Sequence, residues 1–240
     1  MMIPKKINNC PIVDSVVELR FISRIFPNAV FGIIFNSLQK DFPNVEKLPI
    51  LQLPEQLRES DPNLKFKPLY RLMSEDGYSV QIGTDVIVIG APMPYPGWSD
   101  FLEKIKLVIE NVYKTEVIEK VIRLGVRFIN FFDFDVFKKI NLEIQINNSL
   151  HNNHNTQLRT EIKKGDFLHI LNIANNATQI IQNGTERTGS IIDIDTIKDY
   201  RLDDFKAIYE IEIQNAHNFE KEIFFNLLNS DYLKSLDPKY

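Results

Sequence analysis

The residues best placed to do chemistry stand on the two stretches most strongly patterned as strands. In Ile12 to Ile22, IVDSVVELRFI, the positions Asp14, Val16, Glu18 and Arg20 share one parity. Val13, Val17, Leu19 and Phe21 share the other, interrupted by Ser15. In Val121 to Phe134, VIRLGVRFINFFDF, the residues Ile122, Leu124, Val126 and Phe128 form an apolar row. Arg123, Gly125 and Arg127 form the opposite row, continued by Ile129 and Phe131. Alternate side chains of a strand point to opposite faces, so each stretch has a charged side. A carboxylate such as Glu18 can act as acid or base. The guanidinium forks of Arg20, Arg123 and Arg127 suit bidentate contacts to a carboxylate or phosphate. Gly125, between two arginines, permits close approach by a side chain, a ligand or another backbone. Glu18, Arg20, Arg123, Arg127 and Asn130 therefore define a candidate binding surface. A charged outer sheet face serving solubility accounts for the same pattern, and no catalytic residue is assigned.

Other chemistry has thin support. His151 and His154 have an H-x-x-H spacing in the polar run Asn147 to Thr156. Two histidines without a third ligand of fixed geometry make a weak metal signal, so no metal and no cofactor is expected. There is no phosphate loop, no G-x-S-x-G, no H-E-x-x-H and no cysteine with a nearby histidine motif. The net charge is −4, with no basic block, so nucleic acid is not a favoured partner. The single cysteine, Cys10, excludes an internal disulfide and a cysteine-rich zinc site. No apolar run is long enough to span a membrane, and the N-terminus lacks a signal-peptide pattern, so a cytoplasmic protein is expected.

The positioning elements read as follows. Asn28 is expected to cap a helix with the apolar stripe Phe31, Ile34, Phe35, Leu38 and Phe42, ended by Pro43. Val45 to Pro68 holds four prolines and reads as an irregular connection, or as a lid or binding loop. Leu64 to Ala91 reads as a three-stranded meander with turns at Glu75-Asp76-Gly77 and Gly83-Thr84-Asp85, and Val86 to Ile89 as a buried strand. Ala91 to Trp98, APMPYPGW, is a proline-punctuated turn, with Trp98 as packing anchor. Ser99 or Asp100 is expected to cap the helix that follows, Asp100 with Glu103 approximating a capping box. Asp135 to Asn148 carries mixed signals, a short helix over Phe137 to Ile140 and strand-like alternation at Leu142, Ile144 and Ile146. Gln157 to Ile197 is a second meander, with turns at Gly165-Asp166 and Asn183-Gly184. A long helix from about Leu202 ends the chain, with Ser230 and Asp231 capping a last turn.

Each half thus runs from a strand with a charged face through a meander to an amphipathic helix. The expected fold is α+β: antiparallel sheets from two pseudo-repeated halves with helices packed on one face. Residues 1–240 form one domain or two related lobes, 1–117 and 118–240. If the leading strands are equivalent, Glu18 and Arg20 share a surface with Arg123 and Arg127.

Three segments, CPIVDSVVELRF, YPGW and RLGVRFIN, carry a resemblance. Pro11, Val13, Asp14, Glu18, Arg20 and Phe21, then the structural motif Tyr95, Gly97 and Trp98, then Gly125, Arg127, Phe128 and Asn130 resemble the pattern of a sporadically distributed, uncharacterised prokaryotic protein family of about this length. The resemblance implies no activity, cofactor or catalytic residue. Its patchy distribution implies mobile accessory loci such as phage-defence or toxin–antitoxin systems. The expected role is a non-enzymatic partner-binding or regulatory subunit, with another protein as partner. The alternative is a sensor or enzyme for a small anionic ligand, working through the charged sheet face.

Overall fold

The computed structural model describes residues 2–150, 155–180, 184–201 and 205–240. His151, His154, Asn183 and Leu202 lie outside the described residues. The chain forms β1 (Ile12–Ser23), α1 (Pro27–Leu38), β2 (Asn44–Lys47), a 3-10 turn (Pro49–Gln52), α2 (Glu55–Ser60), β3 (Tyr70–Met73), β4 (Ser79–Ile82) and β5 (Val86–Gly90). Then come α3 (Trp98–Lys114), β6 (Ile118–Phe132), a 3-10 turn (Val136–Lys138), β7 (Gln145–Ile146) and β8 (Ser149–Leu150). Last are β9 (Gln157–Lys164), β10 (Phe167–Ile180), β11 (Glu186–Asp199), α4 (Phe205–Leu227) and α5 (Ser230–Ser235). The fold is α+β with a large antiparallel sheet. Among the described residues, no helix is long and apolar enough to cross a membrane.

Two compact units are interleaved along the sequence. Unit 1 holds Met1–Val13, Arg127–Thr196 and Asn215–Tyr240; unit 2 holds Asp14–Val126 and Ile197–Gln214.

In unit 2 the hydrogen-bonded order is β2-β3-β4-β5-β1-β6. The period-2 pattern of β1 produces what it predicts, with Val17, Leu19 and Phe21 buried. Leu19 pairs with Ile87, and Val17 with Ile89, of the fully buried β5. On α3, Phe101, Ile105, Val108, Ile109 and Val112 make one buried face. Four local expectations for this unit need correction. Phe26, in extended backbone, is the N-cap of α1, while Asn28 lies inside the helix; Pro27 fits the first helical position because its φ is already helical and its missing N–H is not needed there. Likewise Gly97, at φ 110°, caps α3, ahead of Ser99 and Asp100. That conformation favours glycine. Val45 to Pro68 is not an irregular connection: β2 pairs with β3, Val45 opposite Leu72, and two short helical segments follow. All four residues of β2 are exposed, and Glu46 and Lys47 blunt this sheet edge with charge. Finally, Phe31 and Phe35 stay half-buried beside the buried Val30, Ile34 and Leu38, so the core stripe of α1 is narrower than its spacing implied.

In unit 1 the order is β6-β11-β10-β9. Its core joins Phe132 of β6, Leu171 and Ile173 of β10, and Ile192 and Ile194 of β11 to Phe224 and Phe225 of α4, with Leu228, Leu233 and Leu236 beyond them. In the segment with mixed signals, the Asp135 side chain accepts a hydrogen bond from the Phe137 amide at 3.3 Å and starts the 3-10 turn. Asn147 and Asn148, at φ 52° and 61°, turn β7 into β8. Two successive positive-φ residues suit a tight hairpin, and asparagine tolerates that region. The last turn is capped by Asn229, not Ser230 or Asp231: its side chain accepts from the Tyr232 amide at 2.8 Å. Gly189 of β11 lies so close to β6 that a Cβ would sit 2.0 Å from the Phe132 carbonyl oxygen, which only glycine allows.

Two titratable groups are buried on α4 in this unit. Burial pushes the Glu220 carboxyl up to about 8 from an ordinary 4.5, with Lys221 opposing in part. Burial pushes the His217 imidazole, which packs on Phe128, down to about 3 from 6.5, and Lys221 adds to the shift. Above pH 4.5 the unfolded chain ionises Glu220 while the fold keeps it protonated, so its contribution weakens with rising pH until about 8. Below 6.5 the unfolded chain protonates His217 and the fold does not, so that contribution weakens as pH falls towards 3. Urea denaturation across pH should therefore lose about 1.4 kcal/mol per pH unit from Glu220 between pH 6.5 and 8. Glu220→Gln should flatten that limb while leaving the acid limb in place; an unchanged alkaline limb would contradict the burial account.

Candidate functional site

Each arginine of the expected surface has a carboxylate, supplied by β11 for Arg123 and Arg127 and by β1 itself for Arg20. Arg127 donates from both Nε and Nη2 to the two oxygens of Asp193, each at 2.8 Å. Asp193 is buried and also receives Asn172 Nδ2 at 3.3 Å. Arg123 Nε donates to Asp199 Oδ1 at 2.8 Å, with Asp199 largely exposed. Glu18 meets its own neighbour on β1, accepting from Arg20 Nε at 2.6 Å. The Arg20 guanidinium also lies 4.7 Å from the centre of the Phe66 ring. Asn130 is buried and donates to the Ile192 carbonyl at 3.3 Å, and Gly125 is buried within β6. The carboxylates of β11 were passed over in sequence because antiparallel partners far apart in the chain have no fixed spacing to betray them.

The structural motif before α3 does local work. The Trp98 indole donates to Gln214 Oε1 at 2.9 Å and meets Phe101 edge-on, with ring centres 6.1 Å apart. Tyr95 also meets Phe101 edge-on, at 6.4 Å.

The site that sequence reasoning missed is a cavity of about 460 Å³ in unit 2. That volume lies within the range typical of small-molecule pockets, about 300–1,000 Å³. Pro27, Asn28 and Phe31 of α1 form one wall, and Leu51, Glu55 and Arg58 another. Lys65, Lys67, Leu69 and Tyr70 line it from the segment that enters β3, and Ile82 to Asp85 from the turn between β4 and β5. All three cations come from the proline-rich stretch that sequence reading placed in a connection or binding loop.

Backbone hydrogen bonds fix these walls. The Leu69 amide donates to the Ile82 carbonyl at 2.8 Å, and the Gly83 amide to the Val86 carbonyl at 2.9 Å. The Phe21 amide of β1 holds the Asp85 carbonyl at 3.0 Å. The Lys65 amide donates to the Asp61 carbonyl at 3.1 Å, coiling the segment that presents Lys65 and Lys67. Three cations, Arg58, Lys65 and Lys67, face two acids, Glu55 and Asp85. Burial raises the Asp85 pKa, and Lys65 opposes this in part. Among the described residues none of the three cations forms an ion pair, whereas Arg123 and Arg127 are both paired. The first turn of α1 at the rim has no side-chain cap, and the positive end of a helix favours an anion. The lining offers binding groups for an anion. Among the described residues, no group of three or more His, Cys, Asp or Glu could hold a metal ion.

Neither a protein-family model nor a curated protein matches the chain.

The two arginine pairs differ in burial, and so should their energies. Removing Arg127 strips the buried Asp193 carboxylate of its cation and leaves it the Asn172 bond, so Arg127→Ala should cost about 2 kcal/mol of unfolding free energy. Arg123→Ala removes an exposed pair and should cost under about 1 kcal/mol. Denaturant titration of both variants measures the difference; equal costs would contradict it.

Proposed function

We propose that the protein is a non-enzymatic binding subunit whose unit 2 cavity takes a small anionic ligand. The observation that supports this reading is the lining itself: three cations without ion-pair partners among the described residues, beside the uncapped first turn of α1. Arg20, Arg123 and Arg127 of the strand faces are bound to carboxylates, which moves the anion site from the sheet face to the cavity. A protein partner is the second reading, favoured by α1. This helix carries no charged residue, and Ile33 on it and Phe26 at its cap are exposed, Phe26 by 72%. Exposed apolar side chains on an uncharged helix are a surface that a partner can cover. On this reading the anion regulates docking of the partner, in a bacterial accessory locus of the phage-defence or toxin–antitoxin kind, as the resemblance implies. The proposal also keeps the chain as a cytoplasmic protein of two pseudo-repeated halves with helices on one face.

Inorganic pyrophosphate at low salt is the simplest probe. At about a hundredfold excess over half-saturation it should raise the melting temperature by roughly 5 °C, the rise that about 2.7 kcal/mol of linkage produces in a chain of this size. Lys65→Glu with Lys67→Glu should abolish the rise. Both side chains are exposed, so the ligand-free melting temperature should barely move. No shift in the native protein, or the same shift in the double variant, would contradict the reading.

A further inference from the structure

The anion reading leaves one part of the cavity without a role. Phe31 and Tyr70 line it together, their rings parallel within 17° and their centres 3.8 Å apart. Phe31 sits between the buried Val30 and Ile34 but is itself half-buried, and so is Tyr70. The pair therefore stands at the cavity wall instead of within the core, with the Phe35 ring parallel to Phe31 within 11° at 5.8 Å. Tyr70 is fixed as the first residue of β3, opposite Ile82 of β4 and Lys47 of β2. Phe31 is fixed by the helix whose first turn meets the same cavity. A preformed parallel pair lining a cavity is a platform for another flat ring, since stacking is favourable for any π-face. Asn28 and Thr84, also in the lining, supply an amide and a hydroxyl that can bond the polar edge of such a ring.

Resting on the anion reading, we propose that the ligand is a phosphorylated planar heterocycle of the mononucleotide class. Its ring stacks on the Phe31–Tyr70 pair, and its phosphates lie at Lys65, Lys67 and Arg58. A simple inorganic anion would use the cations and leave the aromatic wall idle; an uncharged aromatic would use the wall and leave three cations unmatched. Only a ligand with both parts uses the cations and the aromatic wall together.

Calorimetric titration of the full chain with ADP, CDP and inorganic pyrophosphate at one low salt concentration tests this. At least one nucleotide should bind about tenfold tighter than pyrophosphate, the increment expected of one stacked base. Phe31→Leu, which keeps an apolar side chain of similar reach, should remove that advantage and leave pyrophosphate affinity unchanged. Tyr70→Leu supplies the same comparison should the first variant lose its fold. If pyrophosphate binds and neither nucleotide binds tighter, the stacking inference fails while the anion reading stands. If none of the three binds, both fail.

Discussion

At Gly83 the turn between β4 and β5 presses against the segment entering β3. A Cβ there would lie 2.7 Å from a Val86 methyl and 2.8 Å from the Lys67 carbonyl oxygen. Both are closer than real Cβ contacts come, so this crossing requires glycine. The Leu69 amide on the Ile82 carbonyl and the Gly83 amide on the Val86 carbonyl close the two strand ends at that point. Lys67 and its neighbour Lys65 are thereby set along Thr84 and Asp85, while the Phe21 amide anchors Asp85 from β1. The geometry of the cavity follows from a backbone contact in the sheet, and its side chains hang on a frame that the meander has already fixed.

The charged residues sort by what neutralises them. Arg20, Arg123 and Arg127 meet carboxylates at 2.6–2.8 Å, and the most buried of these carboxylates, Asp193, accepts bonds from both Arg127 and Asn172. Such groups hold strands in register and keep buried charge satisfied. At the cavity the cations line the wall without ion pairs among the described residues, Lys65 and Lys67 standing five and three positions before Tyr70. Positive charge gathered in a concavity, where solvent screens less effectively than on open surface, is the arrangement that concentrates an anion.

The strands were legible because their signal is periodic. The alternation in β1 and β6, the continuous apolar run of β5, and the glycine turns at Gly77, Gly83 and Gly165 follow from local sterics alone. The stripe of α3 was legible for the same reason. The elements between Asn44 and Ser60 were not, because four to six residues are too few to express a period, and four prolines spread over Val45 to Pro68 read as breaks. The caps were misplaced where a main-chain preference, Pro27 at the first helical position and Gly97 at positive φ, outweighed the side-chain capping signal beside it. Glu18, Arg20, Arg123 and Arg127 were recognisable as strand-face charges, but their partners were not. Asp193 and Asp199 reach their arginines across 66 and 76 residues of chain. The cavity was the least legible feature, since Phe31 has the spacing of a core residue and only the packed structure reveals it half-buried at a cavity wall.

Backbone amide NMR of the isotopically labelled protein, titrated with pyrophosphate, tests the central claim most directly because it locates the anion. The account predicts shift changes concentrated at Asn28, Lys65, Lys67, Gly83 and Thr84. Changes concentrated instead at Arg20, Arg123 and Arg127 would return the binding site to the sheet faces and contradict the assignment of the cavity.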